Sequence, residues 1–69
     1  MRLSARNVIN GKVVQVKRGA TTAHVRIDIG RGTVITAAIA NEAVRDLRLR
    51  RGDAAYAVIK ASDVMVGKD

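Results

Sequence analysis

The sequence predicts an all-β domain: five short strands in a small, partly open barrel, with one short helix between strands 3 and 4. Three observations carry this reading. Apolar and charged residues alternate cleanly over residues 22–29, the period of a strand with one face in water. Glycine-bearing turns recur at 17–20, 30–32 and 48–53, which cuts the chain into strand-sized pieces. The hydrophobic 48% is mostly Val, Ile and Ala with a single aromatic, Tyr56, and such side chains suit strands and close contacts better than a large core.

Residues 3–17 form a long extended segment with an expected bend or bulge at Asn10-Gly11. Lys17-Arg18-Gly19-Ala20 reads as a turn in which Gly19 is free to take a positive φ. In residues 22–29, Ala23, Val25, Ile27 and Ile29 share one face and His24, Arg26 and Asp28 the other. Gly30-Arg31-Gly32 is a tight hairpin turn. Residues 33–40 are largely uncharged, so this third strand is expected to be buried on both sides. Asn41 is the expected N-cap of one or two helical turns that bury Ala43, Val44 and Leu47, with Glu42 favourably placed in the first turn. Residues 54–60 form the fourth strand and 64–66 a short fifth. The order of elements matches an OB-like barrel, with a small SH3-like barrel as the structural rival.

The whole chain, residues 1–69, is read as one domain, because 69 residues leave no room for a second core. There is no Cys for a disulfide or thiolate site, and one His cannot build a zinc site. Oligomerisation is therefore the expected route to stability. No apolar run is long enough to span a bilayer, and the first residues lack an apolar signal core, so the expectation is a cytoplasmic protein. An enzyme is not expected: no carboxylate pair lies in an apolar run, and the lone His has no recognisable nucleophile and orienting partner.

The net charge of +7 favours anionic partners without choosing among them. Two segments narrow the choice. Ser4-Ala5-Arg6-Asn7 and Lys60-Ala61-Ser62-Asp63 each set a hydroxyl beside a fixed cation at the edge of an apolar run. A small oxyanion can only accept hydrogen bonds, so hydroxyls, cations and free backbone N–H groups are what it needs. If the fold joins the two segments, they form a pocket for a tetrahedral anion.

These segments also carry a resemblance. Ser4-Ala5-Arg6-Asn7 with Gly11 after it, the 17–20 turn followed by Ala23-His24-Val25, Ile35-Thr36-Ala37, and the run from Ala57 to Met65 together resemble the Mop domain of molbindins over nearly the whole chain. The resemblance implies an OB-like barrel and a hexamer built as a trimer of dimers. It implies molybdate or tungstate held between subunits by hydrogen bonds, with no protein atom bonding the metal centre and no covalent cofactor. Carried over by position, Ser4, Arg6, Lys60, Ala61 and Ser62 would line one class of site, and Ala20, Thr21 and Thr22 a second. Relatives often carry a hydroxyl where this chain has Ala40, and sometimes where it has Ala43. Backbone N–H groups of residues 40–43 are the expected partial replacement.

The rival reading is a basic nucleic-acid-binding barrel using Arg45, Arg48, Arg50 and Arg51. Against it, single-strand-binding OB folds stack bases on aromatic side chains, and Tyr56 stands alone. A third reading is an interaction module that uses its barrel for assembly alone.

Overall fold

The computed structural model describes residues 6–69. Its first strand, β1 (Asn7–Arg18), runs unbroken through Asn10-Gly11, where the sequence pointed to a bend. The irregularity lies at Val14 instead, and the apolar pattern explains it. Val13 and Val16 are three apart, so a regular strand would send them to opposite faces. A bulge between Val13 and Gln15 inserts Val14 as an extra residue, and Val13 and Val16 then pair with Ile27 and Val25. Both valines thus reach the core side.

The second strand, β2 (Thr22–Gly30), keeps the alternation read from the sequence: Ala23, Val25 and Ile27 are buried and His24 and Arg26 exposed. The hairpin at Gly30-Arg31-Gly32 has positive φ at all three positions, with Arg31 at 54°. It leads into β3 (Thr33–Ala40). A short helix, α1 (Asn41–Asp46), and a fourth strand, β4 (Ala54–Ile59), follow. The sheet order is β3-β2-β1-β4, all antiparallel, so β1 is shared: its first half pairs with β4 and its second half with β2.

Several expectations need correction. Among the described residues there are four strands, not five, in one open antiparallel sheet. After β4 a 3-10 turn at Ala61–Asp63 carries the chain off the ladder, and Val64, Met65 and Val66 find no strand to pair with. β3 is an edge strand with alternating exposure, not buried on both sides. Gly19 does not take a positive φ; its turn closes by its N–H donating to Thr22 O at 2.8 Å. Asn41 is not the N-cap. Ala40 holds that position with no side-chain cap, while Asn41 opens the helix and donates its backbone N–H and Nδ2 to the neighbouring loop.

The helix also buries a different set from that expected. Val44 is fully buried and Ala43 half-buried, but Leu47 is 67% exposed and Leu49 packs against the core instead. The helix end explains the exchange. Leu49 N–H donates to Val44 O and Arg48 N–H to Arg45 O, the paired bonds of a Schellman termination. That motif turns the chain through a left-handed residue and drives the next side chain onto the helix's buried stripe. The left-handed position is Arg48, φ 52°, where glycine is the usual occupant. Arg48→Gly is therefore expected to stabilise the fold slightly, by about 0.5 kcal/mol after the entropy of the unfolded glycine is subtracted. A lowered urea midpoint would show that the arginine contributes more than its backbone strain costs.

The core comprises Val13, Ala23, Val25, Ile27, Val44 and Ala57, all small or β-branched. It leaves an apolar trough of about 730 Å³ between the edge strands, lined by Val25, Ile27, Ile35, Ile39, Leu47 and Leu49 among others. No helix is long and apolar enough to cross a membrane among the described residues.

Candidate functional site

The first candidate site is assembled by strand pairing. The β1–β4 ladder begins at Asn7↔Ile59, so Arg6 and Lys60 are the next residues beyond its end, one on each chain segment. Asn7 fastens this end: its Nδ2 donates to Ile59 O at 3.1 Å, partly buried, across 52 residues of sequence. Lys60 then caps the 3-10 turn Ala61–Asp63 in extended geometry, with Asp63 N–H donating to Lys60 O at 2.9 Å and Val64 N–H to Ala61 O at 3.2 Å. The amides of Ala61 and Ser62 open that turn, and first-turn amides have no partner within their own helix.

The ladder end therefore brings Arg6 and Lys60 to one edge of the sheet, with the Ala61–Asp63 turn and Ser62 following directly. All these residues are exposed. Two cations face one nearby carboxylate, Asp63, and the balance favours an anion. Ser4 lies outside the described residues. Asn7 is the functional residue that sequence reading passed over. It stood inside the Ser4-Asn7 motif, but its task of clamping Ile59 depends on a partner 52 positions away.

The second candidate segment, Ala20 to Thr22, lies at the other end of β1. At about 3.3 Å per residue, a 12-residue strand is at most about 40 Å long, and the two candidate sites lie at its opposite ends. One chain therefore does not merge them. This loop is tied to the start of α1. Asn41 N–H donates to Thr21 O at 2.9 Å, Asn41 Nδ2 to Gly19 O at 3.0 Å, and Thr22 pairs with Ala40 across the β2–β3 ladder.

Ala40 thus borders the second candidate segment rather than the first. The backbone substitutes expected for the missing hydroxyls are fewer than the sequence implied. The Asn41 amide is already spent on Thr21, Glu42 brings a negative charge into the same helical turn, and Asn41 Oδ1 is a buried acceptor without a partner. The rival cluster is dispersed: Arg45 and Arg48 sit at the end of α1, Arg50 and Arg51 on the following turn, all exposed. Among the described residues, no group of His or carboxylate side chains is placed to hold a metal ion.

Comparison with known proteins finds a family model, relatives and solved structures that match this chain. The TOBE domain family matches residues 3–66. A probable molybdenum-pterin-binding protein of Haemophilus influenzae is 49% identical, with 97% of each chain covered. The solved structure of a molybdate-binding protein from Sporomusa ovata superposes with a TM-score of 0.92 at 35% identity, covering 99% of this chain and all of that one. The cytoplasmic molybdate-binding protein ModG, solved with molybdate bound, superposes with a TM-score of 0.89 at 46% identity; the match spans 94% of this chain and 46% of that one.

Proposed function

Because the chain belongs to the TOBE-domain family, in its molbindin (Mop) branch, we propose that it binds molybdate in pockets shared between subunits of a homo-oligomer. The observation that supports the reading is the β1–β4 register, which begins at Asn7↔Ile59 and leaves Arg6 and Lys60 as the next residue on each chain segment. By the molbindin resemblance, Ser4 belongs to the same set of donors. The anion is held by charge-assisted hydrogen bonds, each contributing about 1.5–3 kcal/mol, and no protein atom bonds the metal. A lining of donors alone suits a fully deprotonated dianion; a protonated phosphate would bring a donor with no acceptor to meet. Tungstate, of the same shape and charge, enters the same pocket. This is binding chemistry, without a catalytic step.

Assembly follows from surface that the single chain leaves in water. The trough between β3 and β4 is open, and Met65 and Val66 are each 93% exposed beyond the 3-10 turn. A domain with so small a core gains most by burying both against other copies. The hexamer, a trimer of dimers, is the assembly implied by the molbindin resemblance. The donor edge at Arg6 and Lys60 is open on one side, so a neighbouring subunit completes it. Ala20, Thr21 and Thr22 form a second, weaker class of site, short of the hydroxyls that Ala40 and Ala43 lack. The role that follows is cytoplasmic storage and buffering of the oxyanion.

Native mass spectrometry with molybdate, and with sulfate as control, tests the reading. The expected result is a hexamer that gains discrete molybdate adducts and few or none from sulfate. A monomer or dimer indifferent to both anions would overturn it.

A further inference from the structure

Asp28, Asn41 and Asp53 each use a side-chain hydrogen bond to pin a turn or loop, and all three bonds are exposed. Asn7 differs in both respects. Its Nδ2 donates to Ile59 O across the last pair of the β1–β4 ladder, and the bond is partly buried. The amide has one workable orientation, because turned over it would set Oδ1 against the carbonyl oxygen, acceptor against acceptor. Six consecutive pairs, from Asn7↔Ile59 to Lys12↔Ala54, already hold the two strands together. What a ladder does not fix is its own end, where strands fray because no further pair restrains them.

The residues next beyond this end are Arg6 and Lys60. Lys60 keeps an extended backbone, φ −62° and ψ 140°, before the chain turns at Ala61–Asp63. The spacing of the two cation-bearing segments is therefore set at the pair that Asn7 fastens. We propose that Asn7 is a positioning residue for anion selectivity: by keeping the ladder end closed, it holds the backbones of Arg6 and Lys60 at a spacing that suits molybdate and not sulfate. The inference rests on the oxyanion reading above. The two dianions share charge and tetrahedral shape, so electrostatics alone does not separate them, and molybdate is the larger. A fixed spacing matched to the larger ion leaves sulfate short of donors on one side, whereas a loose end closes on either. Asn7 acts through its neighbours, since its Nδ2 is engaged with Ile59 O.

Isothermal titration of the full chain with molybdate, alone and in competition with sulfate, tests this. Asn7→Leu keeps the side chain's shape and removes the donor. It should weaken molybdate binding roughly tenfold and sulfate binding less than about twofold, so the preference for molybdate falls about fivefold or more. A residue that merely held the fold would weaken both anions together and leave the preference unchanged. The second readout is coupling: in N7L/K60A, losing Asn7 should cost less than about twofold beyond Lys60→Ala, because no second cation remains to be positioned. Should Asn7→Leu fail to fold, Asn7→Thr, a strand former without the amide, should show the same fall in preference. An unchanged preference in the variant that folds, or full additivity with Lys60→Ala, would overturn the proposal and leave the oxyanion reading standing. A parent chain that binds no molybdate would bring down both.

Discussion

Gly11→Ala is expected to destabilise the domain more than any surface change, by about 3 kcal/mol. A Cβ built at Gly11 lies 2.5 Å from Ile27 Cγ2, 2.8 Å from Asp28 O and 3.2 Å from Ile29 Cγ2. The isoleucine methyls have some room to turn. The Asp28 carbonyl does not, because it is backbone on a paired strand, so β1 and β2 must separate where β1 passes from β4 to β2. A chain of this length has a total stability of roughly 3–10 kcal/mol, at the usual stability per residue. The loss should lower the melting temperature by roughly 15 °C, read at fixed protein concentration because assembly contributes. Gly67→Ala, where an added Cβ meets nothing within 4 Å, is the matched control and should melt with the parent chain. Equal melting of the two variants would mean that the strands at Gly11 are not this close.

Lys60→Ala is expected to weaken molybdate binding by roughly ten- to a hundredfold, the loss of one charge-assisted hydrogen bond to a dianion. Because Lys60 is exposed at the end of the β1–β4 ladder, thermal melting should be unchanged. Lys60→Arg keeps the charge and should recover much of the affinity, whereas Ser62→Ala, removing one neutral donor among several, should cost less. Isothermal titration with molybdate separates these cases. Parent-like affinity in Lys60→Ala would remove Lys60 from the pocket and leave the oxyanion reading resting on Arg6 and the turn amides.

How far the fold was legible depended on where its cause lay. The alternation in β2 and the Gly30-Arg31-Gly32 hairpin were readable because both are local: side-chain period and backbone freedom act within a few residues. The helix was readable in place but not in face. Leu47 fits the helical stripe on paper, yet the Schellman turn through Arg48 hands its place to Leu49. Glycine would have announced such a turn, and arginine did not. The bulge at Val14 had a faint signal, the odd spacing of Val13 and Val16, but the glycine at position 11 draws the expected bend to Asn10-Gly11 instead. Residues 64–66 are as apolar as a strand, but a strand exists only where a neighbour offers its edge.

By itself the sequence determined the class of the domain, the chemistry it offers an anion, and the two segments that hold the cations, since these are properties of residues and short spacings. Only the tertiary structure decided which of those residues meet. The β1–β4 register ends at Asn7↔Ile59, with Arg6 and Lys60 next on each segment, Asn7 clamps that junction across 52 positions, and Asn41 ties down the distant Ala20 to Thr22 loop. Pairing and burial of this kind depend on the whole sheet at once, because each strand's register is set by what its neighbours must bury.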